Sequence, residues 1–304
     1  MNNQLEQDIL VACAADENYA MPLAVTVRSL VANLDPARRV VLFVLDGGIK
    51  PSQKQRIERS LDPQKIEIKW IQPSDDLLKD LPVSEKYPVS TYYRLLLPQI
   101  IPDHIQKIIY LDSDLIIQSD LGQLWDIELG NRSALAVQDI CHRYVTRTNH
   151  INPKKYGIKD DCKYFNTGVL VINLERWRTD NTAEKAIDII RNNPEEMLFA
   201  DQDALNIVLA GQWGELDPRW NQMHAVHDYQ SWQESLYSEE VFQDVVQHPH
   251  IIHFTTPPKP WSKGCNHPEQ KLFFQYLDMT AWQGWRNTLW RRAFRKIRRL
   301  LPVS

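Results

Sequence analysis

The chain has 304 residues and a formal net charge of −4; 43% of its residues are apolar and 24% are charged. This balance is typical of a globular protein and excludes disorder, a collagen-like repeat and a disulfide-stapled miniprotein. No apolar run of about 18 residues occurs that could span a bilayer. The four cysteines are scattered and form no Cys-x-x-Cys pair, which favours a reducing compartment and predicts a cytoplasmic protein.

Short apolar runs alternate with helix-like segments along the first 140 residues and less regularly beyond them. The predicted strands are apolar or alternating runs at residues 9–15, 40–45, 65–71, 107–111, 134–138, 169–173 and 251–254. The predicted helices cover residues 21–34, a segment from Pro51, a segment from the N-cap Ser90 to near Pro98, and residues 183–191 and 202–209. This alternation predicts βαβ units and an α/β fold with a mostly parallel sheet.

Carboxylates follow three of these strands, at the carboxyl ends where open parallel sheets bind ligands. Asp16 follows the first strand, Asp46 the second, and Asp112 and Asp114 the fourth. A single Asp in such a place is more often a turn or helix cap. Two carboxylates on one side of an extended segment suit Mg²⁺ or Mn²⁺, and His253, at the end of another strand, would shift the preference toward Mn²⁺.

Three further residues have both a structural and a functional interpretation. Lys259, between two prolines, is either a rigid phosphate-binding cation or a surface lysine. Asp201 begins a helical pattern, where an acidic residue caps the helix. Arg94 lies among the apolar residues of its helix, which indicates an anionic partner.

Six motifs follow one another along the chain: Ala14-Ala-Asp-Glu-Asn-Tyr19, Ser90-Thr-Tyr-Tyr-Arg94, Tyr110-Leu-Asp-Ser-Asp114, Phe165-Asn-Thr-Gly168, Asp201-Gln-Asp203 and His253 with Lys259-Pro-Trp261. In this order they resemble glycosyltransferase family 8, the retaining sugar transferases that include bacterial lipopolysaccharide galactosyl- and glucosyltransferases and glycogenin. The resemblance covers about residues 9 to 262. Six ordered motifs are far more specific than any one of them.

The resemblance implies the GT-A fold, a Rossmann-like α/β fold with a mostly parallel central sheet flanked by helices. We expect this catalytic domain over residues 1–267 and a helical segment over residues 268–304. The implied reaction moves a hexose, galactose or glucose, from a UDP-sugar to a saccharide or lipid-linked saccharide, with Mn²⁺ as cofactor.

The family's site residues carry over to matching positions of this chain. The metal ligands fall on Asp112, Asp114 and His253. The nucleotide and diphosphate positions fall on Ala14, Asp16, Asn18, Tyr19, Ser113, Thr256 and Lys259. The donor-sugar positions fall on Arg94, Asn166, Asp201 and Gln202, with Gln202 beside the reacting carbon, and Asp139 falls nearer the acceptor.

The chain departs from the family pattern at Thr256. The family often has glycine where Thr256 stands, so a side chain here is expected to crowd the diphosphate. Breaking the sugar–phosphate bond leaves a dianionic diphosphate, which a divalent cation and Lys259 would stabilise. Gln202 is a poor nucleophile, which favours attack by the acceptor on the front face of the sugar, with the leaving phosphate taking the proton.

Three other classes share parts of this pattern. A haloacid-type phosphatase also has Asp-x-Asp after a strand, but usually with Thr or Val where Ile116 stands, and near the N-terminus. A sugar nucleotidyltransferase needs a glycine-rich loop after the first strand, where Ala14-Ala-Asp-Glu-Asn has none. A non-catalytic sugar-binding relative would use the ten tryptophans as stacking surfaces.

Residues 285–304 hold seven of the 35 basic residues and no acidic one, which leaves 28 basic against 39 acidic residues in the body. So acidic a body argues against a nucleic-acid partner. In the tail, apolar residues at three- and four-residue spacing alternate with arginines, which predicts a basic amphipathic helix. We expect this helix to bind an anionic membrane surface, namely the cytoplasmic face of the inner membrane. The alternative is a helix that docks on the acidic body of the protein.

Overall fold

The computed structural model describes residues 8–74, 76–84 and 87–288, and within these residues ten strands form two sheets. The strands are β1 (Ile9–Ala15), β2 (Val40–Asp46), β3 (Ile66–Ile71), β4 (Lys107–Leu111), β5 (Leu115–Ile117), β6 (Ala134–Gln138), β7 (Phe165–Asn173), β8 (Trp213–Glu215), β9 (Gln222–Met223) and β10 (Ile251–His253). Every strand expected from the apolar runs is present, within one residue at most ends.

The larger sheet has seven strands in the order β3-β2-β1-β4-β7-β6-β8. Strands β3, β2, β1 and β4 are mutually parallel, and β6 is parallel to β8, whereas β7 runs antiparallel to both of its neighbours. All seven residues of β2 are buried, as expected for a strand that helices cover on both faces. The α/β class and the mostly parallel sheet are confirmed.

Nine α-helices accompany the sheets in the described part of the chain. They are α1 (Ala20–Asn33), α2 (Pro51–Glu58), α3 (Leu97–Ile100), α4 (Leu121–Trp125), α5 (Leu174–Thr179), α6 (Thr182–Asn192), α7 (Asp201–Val208), α8 (Glu239–Gln247) and α9 (Gln270–Asp278). Alternate residues of β1 enter two different apolar clusters, Val11 and Cys13 on one face and Leu10 and Ala12 on the other. A two-residue period of this kind places one core on each side of the sheet.

The helix predicted from an N-cap at Ser90 is corrected in type and in bounds. The segment Val89–Leu96 is a 3-10 helix whose N-cap is Pro88, and it continues directly into α3. Pro98 lies in the first turn of α3, where its missing N–H costs no hydrogen bond, so it does not end the helix as expected.

A small sheet in the order β5-β10-β9 brings distant parts of the chain together. In its register His253 lies opposite Leu115, the residue that follows Asp114. Strand β7 begins four residues before the predicted start, at Phe165, so that Asn166 and Thr167 are strand residues. These two features set the positions of the His253, Asn166 and Thr167 side chains.

Helix α9 packs against the same apolar cluster as β1 and α1 through Phe273 and Leu277. Arg286 pairs with Asp278 at 2.7 Å and lies over the ring of Phe274. The remaining tail, residues 289–304, lies outside the described residues, so the amphipathic helix and the division at residue 267 stay predictions. No helix in the described ranges is long and apolar enough to cross a bilayer.

Candidate active site

A cavity of about 550 Å³ opens where β1 and β4 end and where α7 begins. The candidate site residues that line it are Ala14, Asp16, Tyr19, Arg94, Asp112, Ser113, Asp114, Asp139, Asn166, Asp201, Gln202, His253, Thr256 and Lys259. Asn18 is exposed and is not part of this lining; its side-chain amide contacts Asp16 at 3.4 Å. Asp46 also lies outside, because its carboxylate caps the turn to Gly48 and Ile49 and pairs with Lys54.

Asp112, Asp114 and His253 form a candidate metal site, since each offers one ligand atom within 4.8 Å of the others. The His253 Nε2 atom lies 3.4 Å from Asp114 Oδ1 and 3.7 Å from Asp112 Oδ2. His253 and Asp114 are buried, and each carboxylate also has a basic partner, Arg94 for Asp112 and Lys259 for Asp114. Two carboxylate oxygens and one imidazole nitrogen are a donor set that suits Mn²⁺.

The hydrogen bonds around His253 determine which of its nitrogens can bind a metal. The backbone N–H of Gly168 can only donate, and it donates to Asn166 Oδ1 at 3.0 Å. The same oxygen accepts from Asn221 Nδ2 at 2.9 Å, which turns Asn221 Oδ1 toward His253 Nδ1, also at 2.9 Å. Nδ1 therefore carries the proton, and the Nε2 lone pair is free for a cation.

Arg94 joins the candidate metal site to Asp201. Its guanidinium donates to Asp112 Oδ1 at 2.9 Å and to the carbonyl of Thr167 at 2.6 Å, and its Nε lies 2.8 Å from Asp201 Oδ2. It also lies 4.5 Å from the centre of the Tyr110 ring. The buried cation expected to need an anionic partner thus has two, and it fixes their separation.

Lys259 lies beside the carboxylate pair. Its Nζ donates to Asp114 Oδ2 at 2.7 Å, to the carbonyl of Thr255 at 3.2 Å and to that of Phe254. Burial alone would raise the pKa of Asp114, but the positive charge of the Lys259 ammonium opposes it and holds that pKa well below its usual range. Asp114 is therefore a carboxylate, the form that binds a cation, throughout the physiological range.

Gln202 is held at both ends of its amide. Its Oε1 accepts from Thr167 N and Asn166 Nδ2, both at 3.1 Å, and its Nε2 lies 3.3 Å from the Tyr164 hydroxyl. An amide oxygen is neutral and a much weaker nucleophile than a carboxylate, which agrees with its expected non-nucleophilic role.

Asp16, at the end of β1, has the capping role expected of a single Asp there, and its ligand-binding role stays a prediction. Its carboxylate accepts from Asn18 N and Tyr19 N and so caps the short 3-10 helix Glu17–Tyr19, while it also lines the cavity. Tyr19 packs edge-on against Trp261 at 5.7 Å, and Ser113 Oγ donates to the carbonyl of Ala14 at 2.8 Å. These contacts shape a wall that combines aromatic surface with backbone polar groups.

The opposite wall is formed around Asp139, His142 and Phe199. Asp139 Oδ1 accepts from the backbone of Cys141 and of His142, and the His142 ring packs on Phe199 at 4.7 Å. The hydrogen bond to the Asp139 carboxylate raises the pKa of His142, and this effect is larger than that of burial, which opposes it. A carboxylate beside an aromatic surface is a common arrangement for holding a sugar.

Asn221 is a site residue that the sequence does not reveal. It is buried and orients His253 and Asn166 together, yet it stands in a stretch without helical or strand periodicity. No sequence signal marks it, because its role depends on contacts 32 and 55 residues away.

Asp201 supports a prediction about stability and pH. Burial raises the pKa of Asp201 to about 6; the Arg94 guanidinium opposes this rise, and the Asp112 carboxylate adds to it. Between about pH 4 and pH 6 the native state holds more protons than the unfolded chain, so this group's contribution to the unfolding free energy falls as pH rises. Asp201→Asn should remove that fall, of at most about 3 kcal/mol, from metal-free denaturant unfolding curves. Equal pH slopes in the two proteins would contradict the shifted pKa.

The α/β sheet with a polar cavity at the carboxyl ends of β1 and β4 agrees with the GT-A fold, and comparison with known proteins gives the family. The glycosyl transferase family 8 model matches residues 10–265, so the chain belongs to glycosyltransferase family 8.

Three relatives illustrate the similarity. General stress protein A of Bacillus subtilis is 34% identical over 90% of this chain and 94% of its own length. Lipopolysaccharide 1,2-glucosyltransferase of Escherichia coli K12 is 24% identical over 90% of this chain and 78% of its own. The crystal structure of galactosyltransferase LgtC with donor and acceptor sugar analogues superposes with a TM-score of 0.78, at 26% identity, over 93% of this chain and 99% of that one. The GT-A fold is thereby confirmed.

Proposed function

We propose that the protein is a retaining, Mn²⁺-dependent glycosyltransferase that moves glucose or galactose from a UDP-sugar to a saccharide or lipid-linked saccharide acceptor. The observation that carries the proposal is the Asp112–Asp114–His253 group, with its Nε2 lone pair free, inside a cavity that also holds Arg94, Asp201 and Gln202. A lipopolysaccharide acceptor is supported by the names of the glucosyl- and galactosyltransferases among the relatives.

The chemistry follows from the charges at the two ends of the cavity. The anomeric carbon–oxygen bond to the diphosphate breaks, a bond to the acceptor hydroxyl oxygen forms, and the hydroxyl proton passes to the departing phosphate oxygen. Asp112, Asp114 and His253 would hold a divalent cation, and that cation would supply positive charge for the departing diphosphate. Lys259, already beside Asp114, adds a second positive charge on the same side.

The developing positive charge on the sugar lies on the other side, where Asp201, Asn166 and Gln202 line the cavity. Asp201 is tied to Arg94, and Gln202 is an amide, so neither is placed as a free carboxylate nucleophile. This arrangement supports front-face attack through a short-lived ion pair, with Asn166 and Gln202 positioning the sugar.

The stereochemical prediction is retention. An α-linked UDP-hexose should give an α-linked product, read from the anomeric coupling constant in the proton NMR spectrum of the purified glycoside. A β-linkage would refute retention, whereas a trapped glycosyl-enzyme would refute only front-face attack.

The direct test is UDP release from UDP-glucose and UDP-galactose with an oligosaccharide acceptor mixture. We expect release that depends on the acceptor, disappears with EDTA and returns with excess Mn²⁺. No release from either donor in the presence of Mn²⁺ and acceptor would overturn the proposed function. Release of phosphate from p-nitrophenyl phosphate would instead favour the haloacid-type phosphatase, and binding of sugars without turnover would favour a non-catalytic relative.

Membrane association is a further proposal that rests on the tail sequence alone. A chain truncated after Thr288 keeps the Arg286–Asp278 pair but loses six of the seven basic tail residues. We expect only the full-length protein to sediment with anionic liposomes, and its binding to weaken at high salt, since each basic residue contributes about 1 kcal/mol at low salt. Equal sedimentation of the two proteins would contradict a membrane-binding tail.

A further inference from the structure

Asp203, the last residue of the Asp201-Gln-Asp203 motif, has no exposed surface, yet it accepts hydrogen bonds from three parts of the chain. Its Oδ1 accepts from the Tyr164 hydroxyl at 2.6 Å and lies 3.0 Å from His150 Nε2. Its Oδ2 accepts from the backbone N–H of Phe199 at 2.7 Å. Because it is buried behind Tyr164, this carboxylate is not placed to contact a bound sugar.

The position of one proton follows from these contacts. The Tyr164 hydroxyl has a single hydrogen, and its short contact with the Asp203 carboxylate takes that hydrogen. Burial and the Asp203 charge raise the pKa of Tyr164 well above its usual range, so the hydroxyl keeps its proton. Toward Gln202 the Tyr164 oxygen can therefore only accept, and the atom that faces it must be the amide nitrogen, at 3.3 Å.

The other end of the same amide is determined independently. The backbone N–H of Thr167 can only donate, so the atom it faces at 3.1 Å must be Gln202 Oε1. Asn166, whose own orientation is set by Gly168 N, donates to that oxygen as well. Two independent series of hydrogen bonds, one at each end of the Gln202 side-chain amide, thus give the same orientation of that amide.

We propose that Tyr164 and Asp203 are positioning residues that hold the amide of Gln202 in one orientation for sugar transfer. This inference rests on the proposed function. Neither residue reaches the substrate; Asp203 orients the Tyr164 hydroxyl, and that hydroxyl orients Gln202. Without them, only the Oε1 end of the amide keeps its partners.

The second oxygen of Asp203 acts on the loop before α7. Ala200, the N-cap of α7, has φ +53°, a backbone conformation that an alanine rarely adopts and that is strained. The bond from Phe199 N to Asp203 Oδ2 fixes the residue before this strained position. The same carboxylate therefore holds both Phe199, which lines the cavity, and the Tyr164 hydroxyl that faces Gln202.

Tyr164→Phe tests the proposal, because it removes only the hydroxyl. Tyr92→Phe is the matched control, since Tyr92 is an equally buried tyrosine whose hydroxyl donates to the Pro82 carbonyl away from the cavity lining. We expect kcat for transfer from the UDP-hexose to fall by about 10- to 100-fold in Tyr164→Phe, with KM for the donor within about threefold. The control should keep wild-type kcat.

Asp203→Asn provides a second, opposite perturbation. Its oxygen can still accept from Phe199 N, which turns the new NH₂ toward Tyr164 and reverses the direction of that hydrogen bond. The tyrosine hydrogen would then point to Gln202 and oppose the amide nitrogen. We expect kcat to fall in this variant, and adding Tyr164→Phe to it should cost little further, or partly restore kcat, because the opposing hydrogen is gone.

The outcomes separate the two proposals. A wild-type protein that releases no UDP from either donor overturns the proposed function and this inference with it. A wild type that turns over while Tyr164→Phe keeps full kcat overturns the inference alone. Two further results would overturn it, because both indicate a structural role only. One is a fully multiplicative loss of kcat in the double variant. The other is a loss of kcat in Tyr164→Phe that is no larger than the loss in Tyr92→Phe and that accompanies a lower melting temperature.

Discussion

Asp114→Asn is expected to abolish Mn²⁺-dependent UDP release, with a loss of more than about 100-fold. Asp114 Oδ1 lies 3.4 Å from His253 Nε2 and Oδ2 accepts from Lys259, so its charge lies at the centre of the candidate metal site. Asparagine keeps the shape and one acceptor oxygen for Lys259, so the fold should be retained, but the loss of a buried carboxylate beside that ammonium should lower the melting temperature. Turnover assays measure the loss of UDP release, calorimetry measures the binding of UDP with Mn²⁺, and thermal unfolding measures the melting temperature.

Asp126→Asn is the control for this variant, because Asp126 pairs with Arg38 at the surface, away from the cavity lining. It should keep wild-type turnover, as surface ion pairs contribute little. If Asp114→Asn had the turnover of this control in the presence of Mn²⁺, the assignment of the metal site would be wrong.

Gly168→Ala is expected to have an effect of similar size for a steric reason. A Cβ at this position would lie 2.1 Å from His253 Cε1, 2.7 Å from its Nδ1 and 3.0 Å from Asp112 Oδ2. His253 is buried and hydrogen-bonded to Asn221, so its ring cannot move aside without losing that partner. We expect loss of UDP release and of Mn²⁺-dependent UDP binding, with a destabilisation of about 1–3 kcal/mol from overpacking.

Gly122→Ala is the matched control, since the three atoms nearest to its Cβ would all belong to the Arg38 side chain, which is partly exposed and can move toward solvent. It lies in α4, where alanine is favoured over glycine. Loss of stability with full activity in Gly168→Ala would contradict the proposed contact between β7 and the metal ligands.

The sheet was predictable because local sequence determines its strands. The run Ile9–Ala15 is apolar at every position, and the regular alternation with helices up to residue 140 implies the parallel order of β1, β2 and β3. The early start of β7 was not predictable in this way, because Asn166, Thr167 and Gly168 interrupt the apolar pattern. They are strand residues since β7 pairs there with β6 across a bulge.

The candidate site was predictable as a set of residues and not as a network. The Asp-x-Asp after β4 and the histidine at the end of β10 are visible in sequence, but their approach depends on the register of the small sheet, which joins segments more than 130 residues apart. Asp46 illustrates the limit: it too follows a strand, yet its carboxylate closes a turn. Local sequence cannot tell a turn cap from a ligand, because both need an oxygen at the same place.

The central claim is that Asp112, Asp114 and His253 hold the cation that the diphosphate binds. Crystals of the protein grown with MnCl₂ and UDP, measured at the manganese absorption edge, test it most directly. The account predicts one anomalous peak within coordination distance of Asp112, Asp114 and His253 Nε2, with the diphosphate completing the coordination. A bound UDP whose diphosphate lies in the cavity with no anomalous peak at these three residues, or with the peak at other ligands, would contradict it.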